Sequence, residues 1–258
     1  MRISEVIEPD PKTAVITGGA KGLGSALSTA FRDAGWKVWA ASRSKEGAEV
    51  EFDDQLVFHP CDVTRRSDLV TLAGKAATET GRIDAWINNA GVSAWKALVD
   101  IDESFWNHML SVNLTGCFFG CQAAAAHMEE GGAIINISSL AGKRGSARNS
   151  AYCAAKFGVN GVTQSLAKEL GPRGIRVNAV CPVYVDTPGL REALEEPVSP
   201  AAGQDVNAYL DDFRRSQSAL LRLPQAQEVA ATCLYLASSA ASAITGQCLN
   251  VDCGVVPS

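Results

Sequence analysis

Thr13-Ala14-Val15-Ile16-Thr17-Gly18-Gly19-Ala20-Lys21-Gly22-Leu23-Gly24 decides how this chain folds. Its first five residues are apolar or β-branched, the composition of a buried strand. Gly18, Gly22 and Gly24 then allow a tight turn and a close backbone approach. A helical pattern follows through Ala34, and Gly35 stops it. A strand feeding a glycine-rich turn and then a helix presents the helix's unpaired N–H groups to phosphate. The spacing Gly18-x-x-x-Gly22-x-Gly24 is longer than the usual dinucleotide fingerprint. Between a strand and a helix it is still expected to hold a pyrophosphate.

The rest of the chain repeats that pattern. Strands are expected at Lys37 to Ala41, Leu56 to Pro60, Ile83 to Ile87, Ala133 to Ile137, Ile175 to Val180 and Gln247 to Val251. Helices are expected at Arg66 to Thr80, in one long stretch from Ser104 to Met128, from the Tyr152 region to near Gly171-Pro172, and at Gln225 to Ala237. Thr187 to Leu221 is polar and reads as helix in pieces. With no break seen in the alternation of strand and helix, and no Gly-, Ser- or Pro-rich linker, residues 1–258 form one α/β domain. Its fold is a single-domain Rossmann-like, doubly wound parallel sheet of about seven strands with helices on both faces. Residues 1–10 are an N-terminal extension.

Composition narrows the function. Of 258 residues, 47% are hydrophobic and 20% charged, which suits a soluble protein with a sizeable core. A net charge of −5 weighs against nucleic acid or an anionic membrane as partner. Met1 to Asp10 carries three acids and no long apolar run, so no signal peptide is expected, and no uninterrupted run of ~18 apolar residues suggests a membrane span. The eight cysteines form no C-x-x-C pair, and the three histidines do not cluster with them. Reduced thiols in a cytoplasmic protein and no metal site are expected.

Asn149-Ser150-Ala151-Tyr152-Cys153-Ala154-Ala155-Lys156 carries the chemistry. On a helix, Tyr152 and Lys156 share one face a turn apart. A phenol that titrates near pH ~10 is a poor acid or base at neutrality, and a nearby ammonium lowers that value. Taken alone, such a pair is also what a solvated lysine beside a half-buried tyrosine looks like.

The ordered set Thr17-Gly18-x-x-x-Gly22-x-Gly24, Asn88-Asn89-Ala90-Gly91, Asn113, Ser139 and Tyr152-x-x-x-Lys156 resembles the short-chain dehydrogenase/reductase family, from about Lys12 to Gly254. The resemblance implies that Tyr152 exchanges a proton with the substrate oxygen. Lys156 lowers the Tyr152 pKa and holds the nicotinamide ribose, Ser139 donates to the substrate oxygen, and Asn113 supports a water leading from Lys156 to solvent. Ser138 competes with Ser139 for its role. Gly18, Ala20, Lys21, Gly22, Leu23 and Gly24 would line the dinucleotide. Asn89, Ala90 and Gly91 would sit beside the adenosine ribose, and Asp62 with Val63 at the adenine, unless Asp62 is only a helix cap. Pro182, Val183, Val185 and Thr187 would pass the nicotinamide, the last two at its carboxamide. Val183 and Cys253 stand where the family often has glycine, which puts the local backbone path in question.

The implied function is hydride transfer between NADP(H) and a carbonyl or secondary alcohol. A 3-oxoacyl-[acyl carrier protein] or coenzyme A reductase is one alternative, and a dinucleotide-binding regulator without turnover is another. Ser42 stands where NAD-preferring relatives carry an acid, and Arg43 and Lys21 supply cations for a 2′-phosphate. NADP(H) is therefore expected over NAD(H). Residues 188–222 would form the substrate lid, and the family implies a homotetramer or homodimer. Lys143, Arg144 and Arg148 between Ser139 and Tyr152 would suit an anionic substrate. An exposed loop often carries basic residues, however, or they pair with acids of a neighbouring subunit or with Glu192, Glu195 and Glu196, and a neutral ketone or alcohol is expected ahead of an anionic one.

Overall fold

The computed structural model describes residues 12–128 and 131–257, so the N-terminal extension lies outside the described residues. Seven parallel strands form one sheet in the order β3-β2-β1-β4-β5-β6-β7. They are β1 (Thr13–Thr17), β2 (Lys37–Ser42), β3 (Leu56–Pro60), β4 (Ala85–Asn88), β5 (Ala133–Ile137), β6 (Arg176–Pro182) and β7 (Cys248–Val251). The order reverses between β1 and β4, so a crevice opens beyond their carboxyl ends.

Side-chain alternation splits the core into two layers. Val15, Trp39, Trp86, Ile134 and Val177 face α2 (Arg66–Thr80), α4 (Gly116–His127) and α5 (Ser150–Leu170). Ile16, Val38, Ile87, Ile135 and Val180 face α1 (Gly22–Asp33) and α8 (Ala226–Ala237). Strands covered on both faces read as continuous apolar runs, which is why period-2 patterning is weak here.

Two expectations need correction. The alternation of strand and helix does lapse. Residues 43–55 join β2 to β3 without a helix. Thirteen residues suffice for a parallel crossover, and Gly47 interrupts the only segment that could have turned helically. Val50 and Phe52 pack on the α1 side, and the Lys45 ammonium lies 5.4 and 5.3 Å from the Phe52 and Phe58 ring centres. Second, the strand expected from Ile83 begins at Ala85. Asp84 accounts for the difference: its carboxylate, in place of a backbone carbonyl, accepts the Thr13 N–H at 2.8 Å.

The long helix expected from Ser104 to Met128 is present and runs without a break over Glu103–His127, as α3 (Glu103–Leu110), a π-helical turn (Ser111–Thr115) and α4. Asn113 sits in the π turn, and its amide donates to the carbonyl of Met109, four residues back, at 3.0 Å. A side chain thus enters the helix ladder where the wider turn accommodates it. By length and composition Glu103–His127 could cross a bilayer, but its Met109, Asn113, Cys117, Cys121 and Ala124 are buried in the protein.

The segment expected to cover the site holds α6 (Pro188–Glu195) and α7 (Val206–Gln217). They pack with Trp95 in a separate apolar cluster of Leu194, Ala201 and Leu210. Arg191 ties them together, with bonds of 2.6 Å to each Asp186 oxygen and 2.9 Å to the Asn207 amide oxygen.

Candidate active site

The carboxyl ends of β1 and β4 are stitched together by side chains. The Thr17 hydroxyl accepts the Asn89 and Ala90 N–H groups at 3.0 and 3.1 Å. The Asn89 amide donates to the Thr17 and Gly18 carbonyls at 3.0 and 3.2 Å. A Cβ on Gly18, whose φ is +65°, would lie 2.9 Å from the Ala90 Cα, and one on Gly24 would lie 1.8 Å from the Gly18 carbonyl oxygen. Only glycine fits at either place. Gly22 N–H is taken by Glu49, whereas the N–H groups of Leu23 and Gly24 have no acceptor among the described residues. Two open donors at a helix start over a side-chain-free floor fit a pyrophosphate.

Around this cradle the other expected cofactor residues are placed unevenly. Thr187 caps α6, accepting the Leu190 N–H at 3.3 Å, and its Cβ lies 3.5 Å from the position of a Gly22 Cβ. It therefore roofs the turn. Ala20 is buried, Lys21 and Arg43 are exposed, and Ser42 is half-buried at the end of β2. Asp62 accepts the Thr64 N–H at 3.0 Å and its hydroxyl at 2.7 Å, and those bonds hold its carboxyl below the usual range. Thus one oxygen closes a turn in the loop before α2, whose N-cap is Arg65 and not Asp62. Val63 packs over Gly116, Gly91 lies against Asn113 and near Lys156, and Val185 belongs to the buried layer beside α8.

Pro182 ends β6, and Val183 packs toward Leu140, Cys181 and Val255 with an ordinary negative φ, so no glycine is required there. Cys253 differs: its φ is +54°, a left-handed conformation that glycine adopts more easily. Burial raises the Cys253 thiol pKa, which makes it a poor nucleophile.

Ser139, Tyr152 and Lys156 meet at the end of β5. Lys156 is 4% exposed, donates to the Ile137 carbonyl at 2.8 Å and lies 5.5 Å from the Tyr152 ring centre. Burial pushes its pKa down to about 8. The phenol behaves unlike the sequence expectation. Burial raises Tyr152 to about 12, and the pull in the other direction comes from the neighbouring Ser139 hydroxyl, not from Lys156. Ser138 and Ser139 separate cleanly. Ser138 is buried and donates to the Lys156 carbonyl at 3.3 Å, while half-buried Ser139 accepts the Ala141 N–H at 3.1 Å and keeps its own proton to donate. Asn113 is buried, and its amide bonds the Val92 N–H at 3.1 Å and the Val92 carbonyl at 3.0 Å, which fixes the strand end beside Lys156.

Sequence reading missed a buried relay beneath this group. Trp86 donates to Asn88 at 2.8 Å, Asn88 to Asn136 at 2.9 Å, and Asn136 to Thr163 on α5 at 2.9 Å. A Cβ on Gly120 would reach within 2.0 Å of the Asn88 oxygen, so that glycine makes the room. The available signal was two asparagines inside otherwise apolar strands.

Lys143, Arg144 and Arg148 form no ion pair within the described residues, and neither do Glu192, Glu195 and Glu196. A cavity of about 860 Å³ between α1, α6, α7 and α8 shares Gly22 and Thr187 with the cradle but contains neither Ser139, Tyr152 nor Lys156. Among the described residues no group of three or more His, Cys, Asp or Glu could hold a metal.

Residues 18–256 match a family model described as Enoyl-(Acyl carrier protein) reductase. The chain is 35% identical to D-threitol dehydrogenase of Mycolicibacterium smegmatis, over 95% of this chain and 93% of that one. It is 34% identical to a 3-oxoacyl-[acyl-carrier-protein] reductase of Thermotoga maritima, over 95% and 98%. Aldohexose dehydrogenase of Thermoplasma acidophilum superposes with a TM-score of 0.85 at 32% identity, over 95% and 94% of the two chains. An actinorhodin polyketide ketoreductase variant solved with NADPH gives 0.85 at 29%, over 95% and 97%. With its sheet order, glycine-rich turn and Ser139–Tyr152–Lys156 group, this chain belongs to the short-chain dehydrogenase/reductase family of oxidoreductases.

Proposed function

We propose that the protein interconverts a carbonyl and a secondary alcohol with NADP(H), using Ser139, Tyr152, Lys156 and Asn113. The convergence of Ser139, Tyr152 and Lys156 beyond the end of β5, with the Lys156 ammonium beside Gly91 after β4, carries this reading. The nicotinamide, when bound, gives or takes the hydride. In reduction, negative charge builds on the substrate oxygen. Ser139 donates a hydrogen bond to that oxygen, and Tyr152 transfers its phenolic proton to it. Lys156 holds a proton that is exchangeable around its lowered pKa of about 8 and sits where it can restore the phenol through solvent. Asn113 keeps the chain at Gly91 and Val92 in place beside that ammonium.

Lys21 and Arg43, with Ser42 rather than an acid at the end of β2, support the phosphorylated dinucleotide. A preference of at least roughly tenfold in kcat/KM is expected, the size of one ~1.4 kcal/mol contact. The test is a screen of ketones, sugars, quinones and acyl thioesters with NADPH and NADH, followed by nicotinamide absorbance. No turnover on any carbonyl would leave a dinucleotide-binding regulator. Equal or better turnover with NADH would remove the cofactor assignment.

The substrate is read as a neutral ketone or alcohol. One observation favours a 3-oxoacyl thioester instead: Lys143, Arg144 and Arg148 are not neutralised by lid acids. Salt-dependent kcat/KM that drops in Arg144→Ala would support the anionic substrate. The protein is read as a cytoplasmic homodimer or homotetramer. Phe118 and Phe157, 40% and 48% exposed on α4 and α5, support a subunit contact there.

A further inference from the structure

The helix-less crossover 43–55 lays one acid on the glycine-rich turn. Glu49 accepts the Gly22 N–H at 2.8 Å, and the same carboxylate oxygen lies 3.0 Å from the Ser25 hydroxyl, whose proton it shares with the Gly22 carbonyl at 2.7 Å. The Glu49 N–H donates to the Ala20 carbonyl at 2.8 Å. The contact is therefore made by backbone and side chain together. Two residues earlier the crossover passes against Lys21. A Cβ on Gly47 would lie 2.7 Å from the Lys21 ammonium, and glycine at that point leaves the room. Lys21 and Glu49 are thus brought to the same end of α1, yet Lys21 forms no ion pair among the described residues.

A carboxylate at a helix start is stabilised by the positive end of the helix dipole. Glu49 thereby offsets part of the field that would attract an anion. It also sets a negative charge beside a cation assigned above to the 2′-phosphate. We propose that Glu49 is a selectivity-determining residue that tempers the preference for NADP(H) set by Lys21 and Arg43. The inference rests on the reading that a dinucleotide lies along the glycine-rich turn. A phosphate monoester carries close to two negative charges at neutral pH, and NAD(H) has none at that position. The effect of the Glu49 charge on the pyrophosphate is shared by both cofactors, so what distinguishes them is its effect on the 2′-phosphate. Both Glu49 and Lys21 are exposed, so salt screens the effect.

The test is equilibrium binding of NADPH and of NADH, read by protein fluorescence, in wild type, Glu49→Gln and Glu49→Ala. Glutamine keeps an oxygen for Gly22 and Ser25 and removes the charge. NADPH should bind Glu49→Gln about three- to tenfold more tightly, with NADH changed by less than about twofold. The gain should shrink in about 0.5 M salt. Affinities that move together, or not at all, in Glu49→Gln overturn the proposal. If only Glu49→Ala weakens binding, and for both cofactors, Glu49 is a loop anchor and the proposal is equally wrong. A wild type that prefers NADH while Glu49→Gln still gains NADPH affinity sinks the assignment of Lys21 and Arg43 but keeps this role for Glu49. Failure of both dinucleotides to bind removes both.

Discussion

The two ends of the crevice are held by different kinds of contact. Under Tyr152 and Lys156, the Asn88–Asn136–Thr163 relay and the Asn113 bonds are buried. At the start of α1, the Glu49 bond to Gly22 is exposed, as are Lys21, Arg43 and Glu49 themselves. Buried hydrogen bonds are costly to break because their partners cannot turn to water, while exposed ones are exchanged at little cost. The Tyr152–Lys156 end is thus built for a single geometry, and the Lys21–Arg43 end for adjustment. Substitutions at the first end should cost rate and stability, and those at the second should change selectivity.

The largest effect should come from Tyr152→Phe. The ring remains and the proton is lost, so kcat should fall about 10²–10⁴-fold while NADPH still binds. Near-normal turnover would show that the fixed end of the crevice does not perform the chemistry. Next comes Asn136→Ala, a change remote from any substrate. It takes the oxygen acceptor from the buried Asn88 amide, which keeps only the Cys121 sulfur at 3.2 Å, and the amide donor from the Thr163 hydroxyl, which keeps its bond to the Val159 carbonyl at 2.8 Å. We expect about 2–3 kcal/mol of lost stability by urea denaturation, against less than about 1 kcal/mol for Glu49→Ala. Equal losses at the two positions would erase the distinction between the ends.

The pH profile sharpens the comparison further. With Tyr152 raised to about 12, the phenol keeps its proton across the working range, and Lys156 at about 8 is the group that titrates. Its lowered pKa means the proton is present below pH 8 and lost above it. Reductive kcat/KM should therefore fall about tenfold per unit above pH ~8, and Lys156→Met should abolish that limb along with much of the rate. A limb near pH 6 instead would restore the sequence expectation of a strongly lowered phenol.

What was legible in the sequence follows the same division. The strand–turn–helix at Thr13–Asp33 and the Tyr152–Lys156 spacing are local patterns, and the fold reproduces them. The seven strands were readable because each is a short apolar run. What escaped depends on contacts between distant residues. Asn88, Asn136 and Thr163 are separated by up to 48 and 27 residues along the chain, and nothing local marks them as partners. Glu49 reaches a turn 27 residues away. The raised phenol was missed because a helical spacing reports a neighbour but not the burial that outweighs it.

The smallest expected effect lies at Cys253, beside the end of α7. Its φ of +54° is a conformation that costs a β-carbon-bearing residue about 1–2 kcal/mol relative to glycine. The strain persists because the surroundings fix the carbonyl: it accepts the Leu220 N–H at 3.1 Å and the Ser218 hydroxyl at 3.0 Å, beyond the end of α7. Cys253→Gly keeps both bonds and relieves the backbone, while the unfolded chain gains some freedom that works against the benefit. The net result should be stabilisation of up to about 1 kcal/mol, measured as a shift in the urea midpoint, with kcat unchanged. The thiol itself is not required, since burial raises its pKa. A clear loss of stability would mean that the Cys253 side chain supplies packing worth more than the strain it imposes. A fall in kcat would tie the Cys253 turn to the Tyr152–Lys156 end of the crevice.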